Sequence, residues 1–454
     1  MTRKTLQSLC VATVLFASLA ASAAEPAPPG LRLTGDWQLQ ATVPAQAAGK
    51  GAEPVIATLD VSPPTIVAVQ AEKYDRPPLL NPQAPGWVKG VRLMGVVACE
   101  CTVRGLLDPA SLQVRAGPRP DAPPFELGKD FGADLDWASI GRLPGGRIGD
   151  NQPVYVSCRH ALPRIDSIVL GEDGRIELLK GKPEVATPVP PALARGQRRL
   201  ANLWIAGRIG KLEPRNLFPI LETAYPEPPP ASPSPAERLL PRTVKKLREG
   251  RSLRILAWGD SVTACGYLPD AERWQAQFVA RLQRRFPQAK IELLTEAWGG
   301  RSTTNYLAEP PGSEHNYREK VLGSRPDLVI SEFVNDAGLT PAQVEERYGK
   351  FHAEFTAIGA EWIILTPHYV RPDWMGLTTE REIDIDPRAY VQGLRQFAAR
   401  HGVALADASL RWGRLWRQGI PYSSLFCNAI NHPNAHGMKL FADGLMALFR
   451  GKGD

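Results

Sequence analysis

The spacing of apolar residues changes near the middle of the chain. Up to about residue 222, short alternating runs such as PVIATLDV, VYVSCRH and RIELLKG are separated by Gly, Pro, Asp and Asn, a pattern typical of β-strands and turns. Glu172, Asp173 and Gly174 predict the turn of a hairpin over residues 168–178. Because no amphipathic run of helical length intervenes, the pattern predicts an all-β domain over residues 31–224, sandwich-like or jelly-roll-like.

A proline-rich stretch follows the predicted β domain. YPEPPPASPSPAERLLPR, residues 225–242, holds seven prolines in eighteen residues, which favours a semi-rigid spacer and predicts a linker over 225–250.

Beyond the linker, strand-like and helical patterns alternate over residues 251–450. The strand-like runs are LRILAWG, KIELLTEAW, PDLVISEFV, EWIILTPHYV and GVALADAS, and the helical patterns fall near 271–286, 341–358, 386–401 and 435–449. This alternation predicts right-handed βαβ crossovers and a parallel sheet covered on both faces. The site of such a sheet lies on the loops at the carboxyl ends of the strands.

The first residues have the three-part layout of a secretory signal. Arg3 and Lys4 precede an apolar run that ends in small residues, so we expect a signal peptide over residues 1–24 and a secreted or periplasmic protein. No later run approaches the length of a membrane span. We therefore expect no membrane insertion after the signal is cleaved.

Charge and cysteine content narrow the function classes. The net charge is +7 and the basic residues are scattered, whereas nucleic-acid binding favours a concentrated basic stripe. Beyond the signal the cysteines are five, an odd number, without paired CxxC spacing, so we expect no zinc site. The glycine loop at 299–303 lacks the lysine of a phosphate-binding loop, and no cofactor is indicated. The sequence leaves the oligomeric state open.

Each predicted strand end supplies one requirement of ester hydrolysis. Ser261 follows the first strand in Gly-Asp-Ser, Gly299 and Gly300 follow the second, Asn335 follows the third, and His432 precedes the last helix. A serine hydroxyl needs a base such as imidazole, and the tetrahedral oxyanion needs preorganised donors. The Ser261 N–H, a glycine N–H and the Asn335 amide are candidates for those donors.

These four blocks in this order resemble the SGNH (GDSL-type) hydrolase superfamily over about residues 253–449. The resemblance implies a flavodoxin-like three-layer α/β fold and esterase, lipase or deacetylase activity. It implies Ser261 as nucleophile, His432 as base, and Gly300 (or Gly299) with Asn335 as oxyanion donors. The family usually places an aspartate three residues before the histidine, where this chain has Ala429. Either the enzyme works with a Ser–His dyad, or the acid comes from elsewhere, with Asp407 after the fifth strand as the leading candidate.

Other residues near the site have weaker assignments. Cys265 and Cys427 lie close in sequence to Ser261 and His432, so a disulfide between them and two separate thiols both stay open. Asp260 is expected to organise its turn. The residues that are candidates for lining a sugar-binding cleft, or alternatively for packing in the core, are His368, Trp258, Trp298 and Trp374.

The leading hypothesis is a secreted serine ester hydrolase that removes O-acetyl or other short acyl groups from a carbohydrate. Because Ala429 replaces the usual acid, a non-catalytic carbohydrate or cell-surface binding protein with the same fold is an alternative, and so is a lipase or thioesterase. A third alternative, an envelope or phage-related assembly protein, rests on the stretches at 164–191 and 198–205, which resemble β-rich attachment modules of phage tails.

Overall fold

The computed structural model describes residues 29–45 and 53–452. The predicted signal peptide, 1–24, lies outside these residues. Within them no helix is long and apolar enough to cross a membrane.

The first half of the chain is built from antiparallel strands, as predicted. The strands β1 to β15 are, in order, Gly30–Gly35, Gln38–Val43, Val55–Asp60, Thr65–Tyr74, Val91–Arg92, Val97–Ala98, Cys101–Thr102, Gln113–Arg115, Phe131–Asp134, Ser139–Arg142, Val154–Leu162, Arg164–Leu170, Ile176–Leu179, Arg198–Ile205 and Leu217–Pro219. The predicted hairpin is confirmed, since β12 and β13 pair antiparallel around Gly174.

Two hydrophobic cores hold this half together. In one, alternate residues of β2 and β3 pack with β12, β13 and β14, around Leu39, Ile168 and Leu203. In the other, β4, β8, β9, β10 and β11 enclose Val114 and Val156. The short hairpin of β6 and β7 leaves only Cys99 and Glu100 in its turn. The alternating stretch VRLMGVVACECTVRGLL is typical of one continuous strand, but Cys99 adopts φ +51° and the chain reverses there.

The second half contains a five-stranded parallel sheet in the order β17-β16-β18-β19-β20. Its strands β16 to β20 are Ser252–Gly259, Lys290–Ala297, Leu328–Glu332, Glu361–Leu365 and Ala404–Ala406. The helices α1 to α9 are Pro235–Leu239, Pro241–Arg248, Ser261–Ala264, Trp274–Arg285, Thr303–Ala308, Pro341–Ala357, Ala389–His401, Ala408–Gly413 and Ala435–Ala447, and Tyr317–Leu322 forms a π-helix.

Helices cover both faces of the parallel sheet and create a three-layer α/β/α fold. On one face α1, α2, α4 and α9 pack against the sheet through residues such as Phe278 and Phe441. On the other face α5, α6 and α7 surround Trp258 and Trp362. Strand β16 is therefore buried on both faces, which explains why its sequence is almost wholly apolar. The predicted fold class, a flavodoxin-like sheet after a β-rich region, is confirmed.

The second half of the predicted linker is not an extended spacer. Residues 235–248 form α1 and α2, and Ala236, Leu240, Val244 and Leu247 are buried in the core of the parallel-sheet domain. Proline occupies the first position of both helices, where its missing N–H is harmless. The domain limits themselves stay a prediction.

The β-rich half contacts the α/β half at two places. At one, the Asn202 side-chain amide donates to the Gly419 carbonyl at 2.7 Å, and the Arg414 guanidinium pairs with the Glu222 carboxylate. At the other, Arg104 pairs with Asp373 at 3.0 Å beside the carboxyl ends of the parallel strands. The second contact places the β6–β7 hairpin next to the loops that carry the candidate chemistry.

Candidate active site

The turn after β16 presents Ser261 as the first residue of α3. Asp260, not Ser261, caps this helix, because its carboxylate accepts the Val262 N–H at 3.1 Å. A side chain at Gly259 would place its Cβ 2.2 Å from the Thr263 hydroxyl oxygen and 2.5 Å from the Glu332 carbonyl oxygen, so only glycine fits. The Ser261 hydroxyl is thus free of the capping role.

The structure brings His432 to this serine across 171 positions of sequence: Nε2 of His432 lies 3.1 Å from Oγ of Ser261. The Cys427 N–H donates to the His432 carbonyl at 2.7 Å and closes the loop that carries the imidazole. The Tyr267 ring stacks on the imidazole, with centroids 4.6 Å apart and planes 2° from parallel. These contacts fix the histidine in position to take the serine proton.

A buried asparagine shapes the histidine loop. The side-chain oxygen of Asn428 accepts the backbone N–H groups of Ile430, Asn431 and His432 at 2.9–3.0 Å. Ala429, where the family usually has its aspartate, adopts φ +54° and packs against the core of the β-rich half. The position that carries the acid in the family, here Ala429, therefore faces the β-rich half of the chain.

The carboxylate beside the imidazole comes from that other half. Oε1 of Glu100, in the turn of the β6–β7 hairpin, lies 2.5 Å from Nδ1 of His432. The Nδ1–H bond does not point directly at this oxygen, so the contact is a close approach of the carboxylate to the imidazole and not an aligned hydrogen bond. The Asn428 amide donates to the same oxygen at 3.1 Å.

Partial burial works to raise the pKa of Glu100, but the His432 imidazole and the Asn428 amide outweigh it and lower the pKa to about 2. Glu100 is therefore ionised throughout the neutral range. A charged carboxylate at Nδ1 favours the tautomer whose Nε2 accepts the serine proton and stabilises the imidazolium that forms.

The structure corrects the prediction for Asp407. Its carboxylate accepts hydrogen bonds from Arg395 at 2.7 Å and from the Thr366 hydroxyl at 3.0 Å, at the start of α8. A carboxylate held by a guanidinium and a hydroxyl is already satisfied, and no contact joins it to His432. Asp407 braces α7 against α8 and is not the third member of the site.

The predicted oxyanion donors lie at the same strand ends. Ser261, Gly299, Gly300 and Asn335 all line one cleft of about 570 Å³. Gly300 has φ +71°, a conformation that favours glycine. The Asn335 side-chain N–H groups donate to Asp260 at 3.0 Å and to the Arg301 carbonyl at 3.3 Å. The second bond is exposed, and a substrate oxyanion can replace its acceptor.

Two buried carboxylates lie beneath the nucleophile. Asp260 accepts the Asn335 backbone N–H at 3.0 Å, and the Thr263 hydroxyl donates to Glu332 at 3.3 Å. Burial raises the pKa of Asp260 to about 7, although backbone N–H donors work to lower it. Burial raises the pKa of Glu332 well above its ordinary value, and the Asp260 carboxylate raises it further. Glu332 therefore holds its proton more tightly than an exposed glutamate.

Of the four weaker candidates for lining the cleft, the structure places one at the cleft and two in the core. Trp374 lines the cleft. Trp258 is fully buried among aromatic rings, and His368 is fully buried with Nε2 2.7 Å from the Asn431 carbonyl oxygen. Trp298 stacks on His315 at 4.6 Å, half-buried. Buried His368 supports the histidine loop from below, and it does not face the cleft.

Sequence patterns missed Glu100, Asn428, Tyr267 and Trp87, all of which line the cleft. Glu100 lies in a stretch whose alternation suggested a single strand, and its partner is 332 positions away. Nothing local marks it as part of the site. The described residues hold no group of three or more His, Cys, Asp or Glu side chains placed to bind a metal ion.

The model of the GDSL-like lipase/acylhydrolase family matches residues 257–440, which run from the end of β16 into the first half of α9 and include Ser261 and His432. These residues form a GDSL-like lipase/acylhydrolase domain. With a serine hydroxyl against an imidazole at its strand ends, the GDSL-like domain is a serine ester hydrolase. No curated protein matches the chain in sequence.

Several solved structures are similar to part of this chain. An α/β hydrolase from the metagenome of Lake Arreo, Spain, is 22% identical over 43% of this chain and 94% of its own, with a TM-score of 0.34. An acetyl xylan esterase from Geobacillus stearothermophilus is 17% identical over 44% of this chain and 97% of its own, at 0.35. A two-domain esterase active on acetylated mannans is 16% identical over 47% of this chain and 52% of its own, at 0.37.

Glu100→Gln is expected to lower kcat for p-nitrophenyl acetate with little change in KM, because an uncharged amide cannot stabilise the imidazolium. Loss of a triad acid costs up to about 10⁴-fold, and we expect at least a tenfold loss here. Glu100→Asp should recover part of the rate. Asp407→Asn is the matched control and should leave kcat of the folded enzyme near wild type; the opposite ranking of the two variants would return Asp407 to the site.

Glu332→Gln is expected to change how stability depends on pH. The folded-state pKa of Glu332 lies above its unfolded value near 4.5. In the pH window between these two pKa values the folded chain therefore binds more protons than the unfolded chain. This group therefore makes the free energy of unfolding fall as pH rises through the window. Urea unfolding at several pH values between 5 and 8 should show a smaller fall for Glu332→Gln, and no change of slope for exposed Glu382→Gln. Equal slopes in all three proteins would contradict the assignment.

Proposed function

We propose that this protein is an exported ester hydrolase that removes short acyl groups, O-acetyl above all, from a carbohydrate through an acyl-serine intermediate. The observation that carries the proposal is the chain of contacts from the Ser261 hydroxyl through the His432 imidazole to the Glu100 carboxylate, at the wall of an open cleft.

The geometry supports the following chemistry. As Oγ of Ser261 attacks the ester carbonyl carbon, Nε2 of His432 takes the hydroxyl proton. The carbonyl oxygen becomes an oxyanion that faces the donors at Ser261, Gly300 and Asn335. The bond to the leaving oxygen then breaks, and the imidazolium returns its proton to that oxygen. Water repeats the sequence on the acyl-serine and releases the carboxylic acid.

The rim of the cleft supports a sugar as the leaving group. The Trp374 side chain is large and apolar, yet 51% exposed, and it lies 6.2 Å from the Trp87 ring of the β-rich half. The Arg371 guanidinium lies 5.8 Å from the Trp374 ring centroid and 4.9 Å from that of Trp137. An exposed aromatic face at the rim of a cleft suits the mixed apolar and hydroxylated surface of a sugar ring.

Export is supported by the basic start, apolar run and small residues at 1–24. An exported enzyme meets acylated polysaccharides outside the cell or in the periplasm. The proposal includes no cofactor and no nucleic-acid partner.

The first test is turnover by wild type beside Ser261→Ala. Without the hydroxyl no acyl-enzyme forms, so we expect release of p-nitrophenol to fall to the background rate, a loss of at least about 10³-fold. Mass spectrometry of wild type quenched during turnover should find the acyl group on the peptide that contains Ser261. Equal rates for the two proteins would favour the non-catalytic binding protein.

The second test separates carbohydrate from acyl-chain recognition. Trp374→Ala should raise KM for acetylated oligosaccharides by about 3- to 10-fold, the equivalent of roughly 0.5–1.5 kcal/mol of aromatic contact. It should leave KM for p-nitrophenyl acetate unchanged, because that substrate has no sugar.

The control is Ile385→Ala, which removes an exposed apolar side chain (62% exposed) elsewhere on the GDSL-like domain. A wild-type preference for long-chain esters, lost in Trp374→Ala, would instead support a lipase or thioesterase.

A further inference from the structure

The turn that carries Glu100 and the loop that carries His432 each begin with a cysteine. Cys99 precedes Glu100, and Cys427 precedes Asn428. The Asn428 side-chain amide donates to the Glu100 carboxylate at 3.1 Å, so the residues that follow the two cysteines meet across the boundary between the two halves. The two thiols themselves lie close enough to affect each other's pKa.

The backbone conformation of Cys99 does not favour cysteine, which indicates that the thiol has a role of its own. With φ +51° it occupies a backbone position that favours Gly or Asn, so its residue type is not explained by the turn. Its side chain is exposed, whereas that of Cys427 is partly buried. One thiol is therefore open to an external reagent, and the second lies within reach of the first.

We propose that Cys99 and Cys427 form a disulfide between the two halves of the chain, and that this bond holds Glu100 against His432. The Cys265–Cys427 disulfide, one of the two alternatives left open by the sequence, is not part of this proposal. Cys265 is fully buried beneath Tyr267, so no external disulfide reaches it directly. The effect of the disulfide on catalysis rests on the proposed esterase function, whereas formation of the disulfide does not depend on it.

The bond forms by thiol–disulfide exchange with an external disulfide, either a small molecule such as oxidised glutathione or a protein oxidant. The Cys99 thiolate attacks one sulfur of the external disulfide and releases one thiol. The Cys427 thiolate then attacks Cys99 of the mixed disulfide and releases the second thiol. Overall the two protein thiols are oxidised, the external disulfide is reduced to two thiols, and both protons pass to those products.

The pKa values of the two thiols govern the rate of this exchange. Cys99 is exposed as a residue, but partial burial of its sulfur raises the pKa of the thiol, and the Glu100 carboxylate raises it further, while contact with Cys427 lowers it. Burial, together with the neighbouring Cys99, raises the pKa of Cys427 to about 12. Because the thiolate is the attacking species, the exchange should accelerate as pH rises above neutral.

The bond would act on catalysis through the hairpin turn. The turn holds only Cys99 and Glu100, and the loop from Cys427 to His432 is closed by its own 2.7 Å hydrogen bond. A covalent link between these two short units limits how far Glu100 can move from Nδ1. In the reduced protein, side-chain contacts alone hold the turn against the His432 loop. The Glu100 side chain is 47% exposed. Reduction should therefore lower kcat and leave KM unchanged.

The test of the bond is a peptide map of the full chain after equilibration with oxidised glutathione and alkylation of the remaining thiols. Trypsin separates Cys427 in 418–439 from Cys265 in 255–273, and places Cys99 with Cys101 in 93–104. We expect a cross-linked pair of 93–104 with 418–439 that disappears after reduction. The pair should persist in Cys101→Ser and Cys265→Ser and be lost in Cys99→Ser. A link from 255–273 to 418–439, or full alkylation of Cys99 and Cys427, would overturn the proposal.

The test of its effect compares kcat of oxidised and reduced protein in wild type and in Glu100→Gln. We expect reduction to lower kcat severalfold in wild type and to have no effect in Glu100→Gln, where the charge to be positioned is absent. An equal loss in both proteins would show that the bond supports the fold in general and does not position Glu100. Because the peptide map needs no activity, failure of the esterase function would leave the bond itself testable.

Discussion

The contact between His432 and Glu100 is the interaction on which the arrangement of this molecule depends. Ser261 and His432 meet within one domain, at the carboxyl ends of parallel strands, as this fold requires of its catalytic groups. The carboxylate of Glu100 comes from outside that domain. It lies on a hairpin of the β-rich half, and its Oε1 is 2.5 Å from Nδ1 of His432. The β-rich half is therefore part of the site, and its docking onto the GDSL-like domain determines whether the imidazole has a negative partner.

This arrangement accounts for several features that look unrelated in isolation. Ala429 packs on the β-rich core because its loop is turned toward that half. Asn428 satisfies three backbone N–H groups of the same loop and holds Glu100 with its amide, so one side chain couples the shape of the loop to the position of the acid. Trp87 and Trp374 approach from opposite halves and form one rim of the cleft. Substrate binding and imidazole orientation thus both depend on the same interface.

The sequence predicted what is local or periodic and missed what is long-range. Strand and helix positions in the second half follow from apolar periodicity, and Ser261, Asn335 and His432 follow from motifs at strand ends. Asp407 also ends a strand, which makes it a candidate in sequence, but its carboxylate is paired with Arg395, and nothing in the sequence near Asp407 indicates that pairing. Glu100 could not be predicted, since a two-residue turn inside an alternating run carries no sign of a partner 332 positions away. The sequence predicts a spacer over residues 235–248 because proline at the first turn of a helix looks the same in sequence as proline in a spacer.

The most direct measurement is a crystal structure of the full chain inhibited with a short alkyl phosphonate ester, which imitates the tetrahedral intermediate on the nucleophile. We expect phosphorus on Oγ of Ser261, a phosphonyl oxygen facing the Ser261 and Gly300 N–H groups and the Asn335 amide, and a carboxylate oxygen of Glu100 within hydrogen-bond distance of Nδ1 of His432. A phosphonylated serine with Glu100 turned away to solvent, and with another acid or a backbone carbonyl at Nδ1, would contradict this expectation.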